Sequence, residues 1–244
     1  MDLQGATILV TGSARRLGRS IALELGAAGA QLVIHHHASE AEAASTCAEL
    51  HRLGVGAHPV QADLSSSQGI RLLFEGVDRL GGLHGLVNSA AIMVAGDLLS
   101  VTESDWDHTL NLNLKAAYFV LQQAALRMRR AGGGVIVNIA DIAGLRPWPR
   151  FPVHSISKAG ILALTQVAAL VLAPEIRVNA VVPGPVLKPE AMQAERWETL
   201  GRSLPLRRTG SPEDVARAVR FLMENDFITG EALLVDGGNQ FAPA

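Results

Sequence analysis

A single cysteine, Cys47, stands in the 244 residues, so no disulfide can form within the chain, and a reducing, cytoplasmic setting is expected. Its neighbours Ser45, Thr46 and Ala48 supply no base, which makes it a poor candidate for a catalytic thiol. Charge of one sign is also missing. Lys and Arg number 21 against 23 Asp and Glu, for a net charge of -2, and no basic field of the kind that binds duplex nucleic acid results. The opening MDLQGATILVTG has no basic stretch followed by a long apolar one, so it reads as a first strand and no export signal is expected. Long hydrophobic runs are lacking too: the stretch 159–173 is interrupted by Thr165 and Gln166 and falls short of the roughly 20 residues that span a bilayer. It reads as a buried helix, and no membrane association is expected. Internal repeats, low-complexity segments and interdomain linkers are not seen.

What is present is a 48% hydrophobic chain, long enough for one large core and read as a single domain over 1–244. Short β-branched or apolar runs alternate with longer helical patterns, the order of a parallel sheet covered on both faces. Strands are predicted at 6–10, 31–36, 57–61, 85–88, 135–139, 177–182 and 232–235. Helical spacing is predicted over 17–28, 40–53, 68–80, 104–130 and 153–172. The long helix 104–130 has a clear stop, with Arg127, Arg129 and Arg130 in its last turn and then Ala131 and three glycines. Such a basic triplet matches the helix dipole more often than it makes a binding patch. The fold class is therefore α/β: a Rossmann-like doubly wound parallel sheet of about seven strands with helices on both faces.

The first strand runs into Thr11-Gly12-Ser13-Ala14-Arg15-Arg16-Leu17-Gly18, a tight turn followed by a helix start. Gly12 can turn the chain sharply, Gly18 lets the helix pack close to the sheet, and free amides at a helix N-terminus attract a pyrophosphate. A strict dinucleotide fingerprint wants a third glycine where Arg16 stands. At the end of strand two, where an NAD enzyme places a carboxylate on the ribose, the sequence has His35-His36-His37-Ala38-Ser39. Arg15 or Arg16 can supply charge, and His36, His37 or Ser39 donors, to a 2′-phosphate, so NADPH is preferred over NADH. A metal is not expected: only His35 and His37 share a strand face, and no Cys or carboxylate adjoins them. Asp63-Leu64 after strand three can receive the adenine edge. Asn88 leads into the small residues Ser89, Ala90 and Ala91, which let a cofactor lie close.

Together these segments resemble the short-chain dehydrogenase/reductase family over essentially the whole chain. The matching residues are Thr11-Gly12 with Gly18, Asp63-Leu64, Asn88 to Ala90, Asn113, Lys158, Arg177-Val178-Asn179, Pro183-Gly184, and Ile228-Thr229-Gly230 ahead of Val235-Asp236-Gly237-Gly238. Arg-Arg-Leu-Gly-Arg-Ser after the first strand, with Asp141, is similar to the pteridine reductase subgroup in particular. The resemblance implies that Leu17, Pro183, Gly184, Val186 and Lys158 also line the cofactor. It further implies an Asn, Ser, Tyr and Lys site, with Tyr four residues before Lys and Ser thirteen before Tyr. Asn113 and Lys158 match; Asp141 stands in the serine position, as in the pteridine reductases, and His154 in the tyrosine position, as in neither.

His154 and Lys158 lie four apart on a helix and share one face, where Lys158 can hold the nicotinamide ribose. Asn113 can anchor a water that leads protons inward. A protonated Asp141 beside a ring nitrogen would be a competent general acid. Three readings of His154 stay open: a replacement acid acting through a water, a passive residue beside Asp141, or the mark of a protein that binds NADPH without turnover. Trp148 and Phe151, in a proline-stiffened loop, can stack on a flat substrate or anchor the loop. The resemblance brings Arg16 to the pterin as well as to the cofactor. Residues 186–200 have the place of a mobile substrate lid carrying Trp197. The expected activity is hydride transfer from NADPH to a C=N bond of a pterin, with a carbonyl reductase or a non-catalytic NADPH-binding protein as alternatives; family members are usually homotetramers.

Overall fold

Runs such as TILV and GLVN have no polar alternation because each is buried on both faces, as a central parallel strand must be. The computed structural model describes residues 1–190 and 192–241, and within them seven strands form one sheet. These are β1 (Thr7–Val10), β2 (Gln31–His36), β3 (Ala57–Gln61), β4 (Gly85–Asn88), β5 (Gly134–Ile139), β6 (Ile176–Pro183) and β7 (Ala232–Val235). Every pairing is parallel, in the order β3-β2-β1-β4-β5-β6-β7. Val10 pairs with Ile34 on one side and Val87 on the other, so the order reverses at β1 and β4 and opens a crevice beyond their C-terminal ends. Pro59, which cannot donate to a ladder, is tolerated because β3 is an edge strand.

Helices α1 (Arg16–Ala27), α2 (Glu40–Arg52) and α8 (Pro212–Glu224) pack on one face, where Ile21, Leu25, Leu50, Val215 and Val219 meet Ile8, Val10 and Ile34. On the other face α3 (Ser67–Asp78), α5 (Ala117–Arg130) and α6 (Pro152–Leu172) bring Leu73, Phe74, Val120 and Ile161 onto Leu9, Leu86 and Ile136. Helix α3 starts where Ser66 Oγ accepts the Gly69 N–H, and α6 has Pro152 in its first turn, where no N–H is missed. Helix α5 stops at Arg130 because Gly132 and Gly133 take φ of +92° and +129°. Its Arg127 binds both carboxylate oxygens of Asp78 and lies over the Phe74 ring, so part of the basic triplet ties two helices together.

The structure corrects two expectations and adds detail to two others. The helix expected over 104–130 is α4 (Glu103–Leu110), a π-helical turn at Asn111–Ala116 and then α5; the widened turn re-aims Asn113. Helix α8 was not expected, although Ser211-Pro212-Glu213-Asp214 is a helix-start sequence. The segment expected to be a lid contains a helix, α7 (Ala194–Ser203), and its Ala191 lies outside the described residues. Finally, α6 has 21 residues, and an 18-residue stretch of it has a mean hydropathy of 1.6, which by length and composition is enough to cross a membrane. It instead buries His154, Ser157, Lys158 and Thr165, polar groups that find partners in and beside the sheet.

Candidate active site

At the end of β1 the chain turns at Gly12, with φ of +65°, and a Cβ there would lie 3.0 Å from Ala90 Cα. Gly18 packs still closer: its Cβ would meet the Gly12 carbonyl oxygen at 2.3 Å. Thr11 Oγ1 accepts the N–H groups of Ser89 and Ala90, clamping the β1 turn to the exit of β4. Arg15 and Arg16 are exposed beside this turn and Leu17 is half-buried. Arg16 has φ of +54°, the left-handed region that a glycine would take without strain, so the missing third glycine of the fingerprint is also a backbone departure. Its guanidinium reaches Glu190, across the crevice, at 3.4 Å.

The end of β2 divides the three histidines. His37 is exposed and Ser39 half-buried, while His36 is 5% exposed and its Nδ1 has no partner among the described residues. His35 is buried, and sequence reasoning gave it no part in the site. Its Nδ1 accepts the Gly12 N–H at 2.9 Å, its Nε2 lies 3.1 Å from the Ala62 carbonyl, and its own carbonyl accepts the Ser13 N–H. A carbonyl can only accept, so the ring proton is on Nε2. Burial drives the His35 pKa down to about 4, keeping the ring neutral. Beyond β3, the Asp63 carboxylate accepts from the backbone N–H and the hydroxyl of Ser65, which lowers its pKa, and Leu64 is buried. The Asn88 side chain turns inward and donates to Ala117 O and Asn138 Oδ1, so past its backbone the β4 exit presents Ser89, Ala90 and Ala91.

Asp141, His154 and Lys158 come together beyond the ends of β5 and β6. Asp141 caps a 3-10 turn at Ile142–Gly144, where its Oδ1 accepts the Ala143 N–H at 2.7 Å and its Oδ2 faces His154 Nε2 at 3.7 Å. His154 Nδ1 lies 3.2 Å from the Ile92 carbonyl and must carry the proton, so Nε2, buried and otherwise unpartnered, presents either a lone pair or a second proton to Asp141. Lys158 Nζ donates to the Ile139 carbonyl at 2.8 Å. Burial pulls its pKa from 10.5 down to about 8, while the nearby Asp141 charge pulls the other way. The turn can approach α6 only because residue 144 is glycine: a Cβ would sit 2.7 Å from the Lys158 carbonyl carbon.

The Asn113 side chain is committed to its neighbours. Its Oδ1 accepts the Ile92 N–H, and its Nδ2 donates to the Ile92 carbonyl and to Ser157 Oγ, so both amide hydrogens are engaged. Ser157, also missed from sequence, in turn donates to the His154 carbonyl. Asn113 thus fixes the carbonyl on which His154 hangs. Trp148 stacks on His154 with ring centroids 6.4 Å apart, and Phe151 meets Trp148 edge-on at 6.1 Å. Trp197 lies half-buried on α7. Pro183 ends β6; Gly184, where a Cβ would strike Asp236 Cα at 2.7 Å, and Val186 follow along the same edge. A cavity of about 630 Å³ between α3 and α5, lined by Phe74, Lys115, Phe119 and Arg127, borders only Leu64 of the expected site.

A reversing parallel sheet, a glycine turn at the reversal and a buried lysine on the same edge define the frame of a dinucleotide-dependent oxidoreductase. The chain belongs to the short-chain dehydrogenase/reductase family, whose members use NAD(P)H. A family model described as enoyl-(acyl carrier protein) reductase matches residues 12–240. The chain is 34% identical over 251 residues to 3beta-hydroxysteroid dehydrogenase 1 of Eggerthella lenta, covering 99% of this chain and 96% of that protein. It is also 34% identical over 236 residues to the 3-oxoacyl-(acyl-carrier-protein) reductase FabG of Staphylococcus aureus, covering 94% and 96%. Among solved structures, FolM alternative dihydrofolate reductase 1 from Brucella canis, complexed with NADP, superposes with a TM-score of 0.93 at 32% identity, covering 100% of this chain and 97% of that one.

Proposed function

We propose that the chain is an NADPH-dependent reductase of a C=N bond in a pterin-like substrate, working as one NAD(P)-binding domain over residues 1–244. The observation that carries this reading is the carboxyl group of Asp141, set where the family resemblance implies a serine, with Oδ2 facing the buried Nε2 of His154. The residues present fit the cofactor. Gly12 and Gly18 leave a cradle that a Cβ would fill, Arg15 and Arg16 stand beside it, and the orphaned Nδ1 of His36 lies at the end of β2, where the sequence has histidines in place of a carboxylate. His37, Ser39, Asp63, Leu64, Ala90, Pro183, Gly184 and Val186 complete that wall.

When bound, NADPH supplies the hydride. Asp141 delivers the accompanying proton from Oδ2 to the ring nitrogen, so the C=N bond becomes CH–NH with one hydride and one proton taken up. His154 takes part as the imidazolium: it gives its Nε2 proton to Asp141, is left neutral with Nδ1–H on Ile92, and regains the Nε2 proton from solvent once product leaves. Lys158 orients the cofactor ribose and keeps positive charge beside Asp141 in its buried setting. Asn113 acts through Ile92, holding His154 in register. Trp148, stacked on His154, together with Phe151, Trp197 and Arg16, shapes the pocket for a flat ring. That a dihydrofolate reductase superposes over the whole chain supports a pterin; that 3-oxoacyl and steroid enzymes are equally near in sequence favours, as the second reading, a carbonyl reductase with His154 as acid. We further read the protein as a cytoplasmic homotetramer.

The test is NADPH consumption against a panel of dihydropterins and ketones. Turnover of dihydropterins that falls about 10²- to 10⁴-fold in Asp141→Ala is the expected outcome. Turnover of ketones alone would replace the pterin reading with the second one. NADPH binding without turnover of any member would make the protein a sensor or subunit, and His154→Tyr would then be the variant to assay for gained activity.

A further inference from the structure

We infer that His35 is a positioning residue for the dinucleotide, a neutral ring that ties the phosphate turn after β1 to the adenine end of the crevice after β3. The inference rests on the cofactor reading above and is independent of the substrate. The phosphate turn and the adenine wall belong to different βα units, and among the described residues the polar side-chain bridge between them through β2 is this imidazole: Gly12 N–H to Nδ1 at 2.9 Å, and Nε2–H to Ala62 O at 3.1 Å. Strand β2 lies between β1 and β3, so a side chain at its C-terminal end is the one placed to span both exits. The backbone of the same residue holds the next amide, Ser13 N–H, on its carbonyl, and Ala62 N–H is held by His36 O.

Two consequences follow for the pyrophosphate. The amides of Gly12 and Ser13 are already occupied by His35, so anion binding falls to the amides at the start of α1 and to Arg15 and Arg16. The ring fixes the Thr11–Gly12 peptide through its N–H, and the His35 carbonyl fixes the next one, Gly12–Ser13, whose carbonyl is the one against which Gly18 packs. A residue without an acceptor at the Nδ1 position leaves the half-buried Gly12 N–H without its partner and lets the turn rotate away from its cofactor-ready arrangement.

The ring works only when neutral, because an imidazolium has no lone pair for Gly12. Burial favours the neutral form, opposed by the hydrogen bond to the Ala62 carbonyl and by Asp63 beyond β3, and aided by His36 on the same strand and His37 just past its end; the β1 turn contributes only the Gly12 and Ser13 amides. With its folded pKa lowered from 6.5 to about 4, the unfolded chain takes up this proton first as the solution is acidified. The stability that depends on the neutral ring is present above pH 6.5 and is lost as pH falls toward 4.

The experiment has two arms. In the apoprotein at pH 7, nitrogen-15 shifts of His35 are expected to report Nε2–H with a bare Nδ1; an Nδ1–H tautomer or an imidazolium overturns the inference with no cofactor involved. In the second arm, NADPH is titrated by fluorescence into the wild type, His35→Leu and His35→Asn, whose Oδ1 can stand in for Nδ1. The Kd is expected to rise about tenfold or more in His35→Leu and to stay within about threefold of wild type in His35→Asn. Equal losses in both variants, or no loss in either, overturn it.

Discussion

Lys158 is a fully buried base whose ammonium weakens the fold that holds it. Its folded pKa of about 8 lies below the ordinary 10.5, so between these values the unfolded chain keeps a proton that the folded chain has released. Stability from this group therefore rises as pH climbs from about 8 to 10.5, and below about 8 the penalty is complete. Lys158→Met lacks the titration. The unfolding free energy of the wild type is expected to gain on that of the variant by up to about 3 kcal/mol between pH 7 and pH 10.5, read from urea melts; a constant gap would show that the ammonium is not desolvated. The pairing of Lys158 with His154 was legible in the sequence because four residues make about one helical turn. The partners of His35 and Asn113 were not: Gly12 and Ala62 are 23 and 27 residues from His35, and Ile92 is 21 from Asn113. No local period encodes such contacts.

At the scale of elements, the 3-10 turn at Ile142–Gly144 sets the distance between Asp141 and α6. A methyl group at residue 144 would meet backbone atoms of Lys158 and Ala159 at 2.7 and 2.9 Å, and backbone cannot rotate aside as a side chain does. Gly144→Ala is expected to push the turn outward, lower kcat at least tenfold through the lost approach of Asp141 to His154, and destabilise the fold by about 1–3 kcal/mol. A variant that keeps both its melting temperature and its kcat would mean that the turn yields freely. The strands were read to within two residues of their ends, since a run buried on both faces is apolar without alternation. The π-helical turn at Asn111–Ala116 escaped because its composition, NLNLKA, is that of an ordinary helix, and only the long-range bonds of Asn113 reveal why the turn is widened. Helix α8 has a legible start, a capping box at Ser211 with Pro212 in its first turn.

The whole molecule leaves apolar side chains in water along two neighbouring helices: Tyr118, Phe119 and Leu126 on α5, and Val167, Leu170 and Val171 on α6. Such a surface suits self-association. Light scattering is expected to give four times the 25.8 kDa chain mass for the wild type and a smaller species for Leu170→Glu, whose side chain is 83% exposed and whose fold the change does not touch; a monomeric wild type refutes the tetramer. The global architecture was open to sequence reading because the alternation of strand and helix leaves few topologies. Arg16 shows what the same chain concedes for its ligand. Holding a non-glycine residue at φ of +54° detracts about 1 kcal/mol from the fold, and glycine would restore it while removing the guanidinium beside the cofactor cradle. Under the proposed NADPH reading, thermal stability and grip on the cofactor therefore pull this one codon in opposite directions.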